Sequence, residues 1–315
     1  MFEAIISAIE KHDSIVIFGH LNPDGDCYGS QVALRTIIKT KYPNKEVYAV
    51  GSGVPAFFDL LGNMDEVSSD KIKESLAVVL DSNDLRRLED KRSKKAKAFV
   101  KVDHHIDTFS FKEGPEVIDP KATSTCELIY RMAKEAKWVI NEKAANALYL
   151  GVFTDSARFQ YSQNYVATFE IARDLCLLGA KPHDLVTRLN VAYEKTLFLR
   201  RFIYTHFIKD DSLIYLVATK KEREEIDATA QQIVGCTGLI SHIKGYPMWL
   251  IIAETDKGGM QVEMRSEGIN VQKIASSFGG GGHLYAAGFT LDKFSQENID
   301  KLLDVCRSAL KEERK

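Results

Sequence analysis

Apolar runs of five or six residues recur through the first half of the chain, separated by stretches with helical spacing. "SIVIFG" (14–19), "EVYAV" (46–50), "SLAVVL" (75–80) and "AFVKV" (98–102) each read as a buried strand. A helix is expected over roughly residues 29–40. "STCE" (124–127) sets Ser124 three positions before Glu127, the spacing of a capping box, and predicts a helix from there to about residue 137. "NEKAANALYLGVF" (141–153) predicts a buried, alanine-rich helix ending near Asp155. Strands alternating with helices predict βαβ units and an α/β domain built on a doubly wound parallel sheet.

The texture then changes twice. Residues 165–208 are helical in pattern throughout, with "VAYEKTLFLRRFIYTHF" (191–207) as a connecting helix. After "KDD" (209–211), "SLIYLVAT" and "MWLIIAET" read as strands, and "DKGG" (256–259) as a turn into "MQVEMRS", hence a hairpin. The expected division is an α/β domain over 1–185, a helical linker over 186–210 and a smaller α+β domain over 211–315. A chain of 315 residues accommodates that.

Composition narrows the class. Hydrophobic residues are 45% and charged residues 27%, the mix of a globular protein whose core needs neither metal nor disulfide to fold. A net charge of -2 argues against coating long duplex nucleic acid, yet allows a small phosphorylated ligand in a local site. The run "KRSKKAKA" (91–98) reads as a solvated surface stretch. Five scattered cysteines, odd in number and without a C-x-x-C pair, fit reduced thiols in a cytoplasm rather than a disulfide framework or zinc knuckle. The start, "MFEAIISAIEKHDS", is too short and acidic for a signal peptide. No apolar run reaches about 18 residues, so no membrane span is expected.

Four chemically charged segments share one placement. "VIFGHLNPDGD" ends an apolar run at His20 and continues through Asn22, Asp24 and Asp26. "VVLDSND" ends one at Asp81, "VKVDHH" at Asp103, His104 and His105, and "LGVFTDSARF" at Asp155. In an open parallel sheet, ligands bind beyond the carboxyl ends of the strands, so the four can converge on one edge. Carboxylates with imidazoles and no thiolates favour Mn²⁺, Mg²⁺ or Fe²⁺ over structural Zn²⁺. There are ligands enough for two ions, which at about 3.5–4 Å apart clamp a phosphate and require a bridging carboxylate. Each segment alone has a plainer reading. Asn-Pro-Asp-Gly is turn chemistry, Asp81 a helix cap, His104 a satisfied core histidine, and Asp155 a helix-end acid paired with Arg158. Four together at run ends are hard to explain as caps. His12, His183, His206 and His242 have no such setting and read as structural or surface.

Near the C-terminus, "SFGGGGHLYAAGF" (277–289) places glycines 279–282 before His283, behind an apolar helix "VQKIASSF". Glycines let backbone N–H groups approach an anion, and Arg265 in "VEMRSEG" offers a fork that matches phosphate. A loop at an active edge is expected there rather than a spacer.

These motifs, in this order and over nearly the whole chain, closely resemble the DHH–DHHA1 phosphoesterase superfamily, and within it the NrnA-type oligoribonucleases (nanoRNases) and 3′-phosphoadenosine 5′-phosphate (pAp) phosphatases. The resemblance implies two Mn²⁺ ions, with Mg²⁺ or another divalent ion as a substitute. His20, Asp24 and Asp81 would hold one; Asp26, Asp81, His104 and Asp155 the other, with Asp81 bridging. His105 would face the phosphate, Asp103 would orient the histidines, and Asn22 and Arg158 would lie near substrate. Arg265, Gly280, Gly281, Gly282 (with Gly279) and His283 would grip substrate from the second domain. The implied substrates are short RNA oligonucleotides, linear dinucleotides such as pGpG and pApA, and pAp. Homodimerisation stays open, as do a cyclic-dinucleotide phosphodiesterase of the same superfamily and a non-catalytic nucleotide sensor. A DHH-type pyrophosphatase lacks the GGGH stretch, and a RecJ-type exonuclease needs domains that 315 residues cannot hold.

Overall fold

A computed structural model describes residues 1–51, 59–82, 84–106, 114–162, 164–191 and 193–313. The chain divides into two compact units, Met1–Val191 and Ala192–Lys315.

The first unit is a five-stranded parallel sheet covered on both faces. In chain order come α1 (Glu3–Lys11), β1 (Ser14–Phe18), α2 (Gly25–Lys41), β2 (Glu46–Val50), α3 (Ser69–Glu74), β3 (Leu76–Leu80), β4 (Ala98–Asp103), β5 (Glu116–Ile118), α4 (Thr125–Glu135), α5 (Glu142–Asp155), α6 (Tyr165–Leu177) and α7 (Pro182–Leu189). The spatial order is β2-β1-β3-β4-β5, all parallel. Strand alternation sends Ile15, Ile17, Val78, Val100 and Val102 to one core and Val16, Phe18, Ala77 and Val79 to the other. Burying such side chains on both faces stabilises by roughly 1.5–3 kcal/mol each, so the strand ends form a rigid platform. The chain leaves β1 to one side for β2 and returns to the other side for β3. The carboxyl ends of β1 and β3 therefore flank the point where the strand order reverses, the place where open α/β sheets hold ligands.

Three local expectations change. Helix α2 begins four residues earlier than expected, because Asp24 caps it: its Oδ1 accepts from the N–H groups of Asp26 and Cys27, both at 3.0 Å. The capping box at α4 forms only half. Ser124 accepts from Glu127 N, but the Glu127 carboxylate takes the N–H of Thr123 at 2.9 Å and pairs with Arg131. The helical stretch over 165–208 breaks into three helices, the first ended by Gly179, whose φ of 99° an L side chain rarely adopts. Residue 192, within the expected connecting helix, lies outside the described residues.

The second unit begins with α8 (Glu194–His206) and continues through β6 (Ile208–Asp210), β7 (Leu213–Ala218), α9 (Lys220–Glu225), α10 (Ala230–Val234), β8 (Met248–Glu254), β9 (Met260–Ser266), α11 (Val271–Ser277), β10 (Gly281–His283), β11 (Ala286–Leu291) and α12 (Gln296–Glu313). Its six-stranded sheet runs β10-β11-β9-β8-β7-β6; β7 and β8 are parallel and the other pairs antiparallel. The expected hairpin at residues 256–259 joins β8 to β9. One face of the sheet carries Leu250, Ile252, Val262 and Met264 under α11 and α12, and the other carries Ile214, Leu216, Trp249 and Ile251 against α8 and α10.

Candidate metal centre

Register alone brings the first residues together. Phe18 pairs with Val79, so two positions on, His20 falls beside Asp81. Leu80 pairs with Val102, which sets Asp81 beside Asp103. Asp81 has turned out of the strand: its φ is 53°, a strained left-handed conformation, and its N–H still bonds Val102 O at 3.1 Å. This turn directs its carboxylate back over the sheet edge. Oδ2 lies 3.4 Å from His20 Nε2, and Oδ1 lies 3.5 Å from His104 Nε2 and 3.6 Å from His105 Nδ1.

Helices supply the rest. Asp26, in the first turn of α2, is fully buried. Its two oxygens accept the N–H groups of Thr125 (2.7 Å) and Cys126 (2.8 Å) at the amino end of α4. Close approach of α2 to α5 makes this room. A Cβ on Gly29 would strike Ala147 O, and one on Gly151 would strike Cys126 Sγ and stand 2.7 Å from Asp26 Oδ1. Thr125 Oγ1 donates to Asp81 Oδ1 at 3.0 Å. Asp155 ends α5, with Oδ2 3.2 Å from His104 Nε2, which is also 3.8 Å from Asp26 Oδ2. Asp24 caps α2 with Oδ1 alone, and its half-exposed side chain stays 3.9 Å from His20 Nε2.

Asp81, Asp26 and His104 each offer one atom within 4.8 Å of one another, and so do Asp81, His20 and Cys27. Asp81 is common to both groups. The charges are strained. Burial first, then the Asp81 and Asp155 charges, push the Asp26 carboxyl well above the ordinary range, with His104 opposing. Burial, Asp24 and Asp81 do the same to Asp155. Asp81 goes the other way: burial would raise it, but the bond to His20 and the nearby imidazoles hold it far below. Burial would keep His105 neutral, yet the bond to Asp103 and the Asp81 charge raise it to about 9. His20 is raised too, the Cys27 sulfur and Asp81 outweighing burial. Like-charged carboxylates crowded among imidazoles are the donor set that a hard divalent cation relieves. Burial pushes the Cys27 thiol up to about 12.

His104 and His105 are held differently. His104 Nδ1 bonds Ala122 O at 3.3 Å, which turns Nε2 towards the three aspartates. His105 Nδ1 donates to Asp103 Oδ1 at 2.7 Å, and the same oxygen accepts the His105 N–H at 3.2 Å.

The expected substrate contacts fare less evenly. Asn22 is exposed in the loop after β1, with φ 55°. Arg158 donates to Asn190 Oδ1 at 2.8 Å rather than pairing with Asp155. It stands in the middle of three successive left-handed residues, Ala157, Arg158 and Phe159. In the second unit, the glycine run is only partly the loop expected: Gly281, Gly282 and His283 form β10, paired with β11. A Cβ on Gly280 would strike Gly288 O and Phe289, so this glycine permits the hairpin to close. Arg265 lies on β9, bonded to Glu263 Oε2 at 2.8 Å and to Met264 O at 2.9 Å.

Sequence reasoning passed over Cys27, Thr125 and Lys101. A lysine inside an otherwise apolar strand, "AFVKV", was the available signal for Lys101, and the amino-terminal position of a capped helix was the signal for Thr125.

Comparison with known proteins identifies the family. Residues 14–152 match the DHH family, N-terminal domain, and residues 210–312 match the DHHA1 domain. The chain is 37% identical over 307 residues to the bifunctional oligoribonuclease and PAP phosphatase NrnA of Mycoplasma genitalium, with 96% of this chain and 95% of that protein covered. It is 31% identical to the protein of the same name from Mycoplasma pneumoniae (97% and 95% covered) and 29% identical to that of Bacillus subtilis (98% and 98%). Its fold is similar to a crystal structure of an exopolyphosphatase-related protein from Bacteroides fragilis, with a TM-score of 0.83 at 22% identity over 98% of this chain and 94% of that one.

Proposed function

The chain belongs to the DHH–DHHA1 phosphoesterases, in the branch of the bifunctional oligoribonucleases and PAP phosphatases named NrnA, and from that premise we propose that it hydrolyses very short oligoribonucleotides to mononucleotides and removes the 3′-phosphate of pAp to leave AMP. The observation that carries this reading is the position of Asp81, whose two oxygens reach towards His20 on one side and His104 on the other.

The donors fit two divalent ions, for which we propose Mn²⁺. His20, Asp24 and Asp81 would hold one, and Asp26, Asp81, His104 and Asp155 the other. Bound there, such a pair supplies positive charge for a phosphate and lowers the pKa of a water. The chain's own groups prepare the place. Thr125 and the amino end of α4 fix the Asp81 and Asp26 carboxylates before substrate arrives. Asp103 fixes the imidazole of His105, whose Nε2 is the atom we assign to the phosphate and to protonating the leaving oxygen. Arg265, Gly280, Gly281, Gly282 and His283 are assigned to a second phosphate or base of the substrate. In this reading residues 1–185 carry the chemistry, 186–210 link, and 211–315 bind substrate. The free cysteines and the lack, among the described residues, of a helix long and apolar enough to cross a membrane accord with work in the cytoplasm.

The test is a product time course on pAp, pGpG, cyclic di-AMP and 5′-labelled RNAs of increasing length, with EDTA and then Mn²⁺ or Mg²⁺ restored. AMP from pAp and mononucleotides from dinucleotides, abolished by EDTA, are expected. Preferential opening of cyclic di-AMP would move the assignment to a cyclic-dinucleotide phosphodiesterase. Binding without turnover in Mn²⁺ would sink the enzyme in favour of a sensor.

A further inference from the structure

Lys101 occupies a place where a lysine is costly. It stands in β4 between Val100 and Val102, is paired across the sheet with Val79, and is fully buried. An ammonium taken out of water is tolerated only beside an opposite charge. Its Nζ lies 3.4 Å from Asp103 Oδ2, two residues along and on the same side of the strand. That oxygen is itself buried and makes no hydrogen bond among the described residues. The other oxygen of Asp103 is wholly given to His105, accepting Nδ1–H at 2.7 Å and the backbone N–H at 3.2 Å. Lysine, aspartate and histidine thus form a line from the inside of the sheet to its carboxyl edge.

We propose that Lys101 is a positioning residue for the hydrolysis, acting through Asp103 to hold His105 in the one orientation that presents its Nε2 to the substrate phosphate. The inference rests on the phosphoesterase reading above and adds a residue to it. Asp103 has Asp81 as a neighbour through His105, whose Nδ1 is 2.7 Å from one carboxylate and 3.6 Å from the other. A single imidazole between two carboxylates needs something to decide which one it bonds. The ammonium decides it: by anchoring Oδ2, it fixes the plane of the Asp103 carboxylate and aims Oδ1 at His105. Asp81 is then left to His20, His104 and Thr125. Outer partners of this kind typically change activity by about 10–100-fold when removed, without touching the reacting atoms.

The experiment compares Lys101→Met, Lys101→Arg and His105→Ala, alone and combined, in the full chain with pAp and a dinucleotide. Lys101→Met is expected to lower kcat by about 10–100-fold, to leave KM within about twofold, and to bind as much Mn²⁺ as wild type. Lys101→Arg, which keeps the cation, should recover most of the rate. In a His105→Ala background Lys101→Met should cost nothing more, because the residue through which it acts is gone. An activity-free readout runs beside these. In metal-free protein, the downfield Nδ1–H proton of His105 should be protected from solvent exchange, and Lys101→Met should abolish that protection. If Lys101→Met does not fold, Lys101→Met/Asp103→Asn leaves neither charge unpaired and takes its place, with a rate expected to equal that of Asp103→Asn alone. An unchanged kcat, a further loss in the His105→Ala background, or an undisturbed His105 proton would overturn the proposal. An inactive wild type whose His105 proton still depends on Lys101 would instead refute the function and keep the positioning role.

Discussion

Asp81 and Arg265 both stand near the end of a buried strand, yet they are held by opposite means. The Asp81 side chain is 2% exposed and is fixed by a strained backbone, a threonine hydroxyl and the imidazoles of His20 and His104. Arg265 is 37% exposed, and its recorded partners are a neighbouring glutamate and a backbone carbonyl. The first arrangement leaves the carboxylate almost no freedom, and its geometry is set before any ligand arrives. The second gives a guanidinium that must leave Glu263, or share itself with it, to meet a phosphate. The roles proposed for them follow the same contrast: a group that fixes reacting atoms would gain from rigidity, and one that accepts substrates of different length would gain from a partner it can exchange.

The sharpest attempt to break this contrast is Asp81→Asn. It should lower kcat by at least about 10²–10³-fold, the range for losing one preorganised electrostatic group, while the far-UV spectrum of the metal-free protein stays near wild type, since the two cores do not depend on metal. Near-normal turnover of a folded variant in Mn²⁺ would remove Asp81 from the bridging place proposed for it.

A finer division lies within the rigid site. His104→Ala should lower bound Mn²⁺, measured by metal analysis after gel filtration. His105→Ala should keep the metal and lose rate, because its Nδ1 is engaged by Asp103 at 2.7 Å and stands farther, 3.6 Å, from Asp81. Equal metal loss in both would end the division.

Arg265→Ala probes the flexible side. A charge-assisted hydrogen bond is worth roughly 1.5–3 kcal/mol, which predicts a loss of about 10–100-fold in kcat/KM on both pAp and dinucleotides with metal content unchanged. Unaltered kinetics on both would leave Arg265 as a surface partner of Glu263 and nothing more.

The smallest expected effect is on stability. The raised pKa of His105 gives metal-free protein stability that is complete below its ordinary value near 6.5 and lost as pH rises through about 9. The raised carboxyls of Asp26 and Asp155 act in the same direction from lower pH, because the folded state keeps protons that the unfolded chain has released. The lowered carboxyls of Asp81 and Asp103 act oppositely, adding stability above the ordinary carboxylate range that is lost in acid. Melting temperature without metal should therefore fall between pH 6.5 and 9, and Mn²⁺ should flatten that slope. A flat profile in EDTA would mean the buried charges are relieved some other way.

Most of the first unit could be read from the chain because a parallel sheet buried on both faces writes each strand as an unbroken apolar run. The residues after those runs, His20, Asp81 and His104, are brought together by register, which follows from the runs themselves. What stayed hidden was whatever depends on a helix end meeting a distant side chain. Nothing local shows that Asp26 will take N–H groups from Thr125 and Cys126, or that Glu127 will leave its capping box for Thr123. The glycine run misled for a related reason. Glycine allows both an open loop and the tight packing of two strands, and only the position of Phe289 and Gly288 reveals which one Gly280 serves.

The donors that hold Asp26 lie 99 and 100 positions further along the chain, and His104 waits for Asp155 to complete its surroundings. A ribosome must therefore deliver nearly the whole first unit before its carboxylates can be gathered into one place. Until then each is an ordinary solvated acid with nothing to attract a metal ion strongly. Ions of the proposed pair would therefore be late passengers, taken up by a sheet and helices already assembled. Newly made protein in a metal-starved cell should then accumulate folded, empty and ready to be switched on by the first divalent ions to arrive.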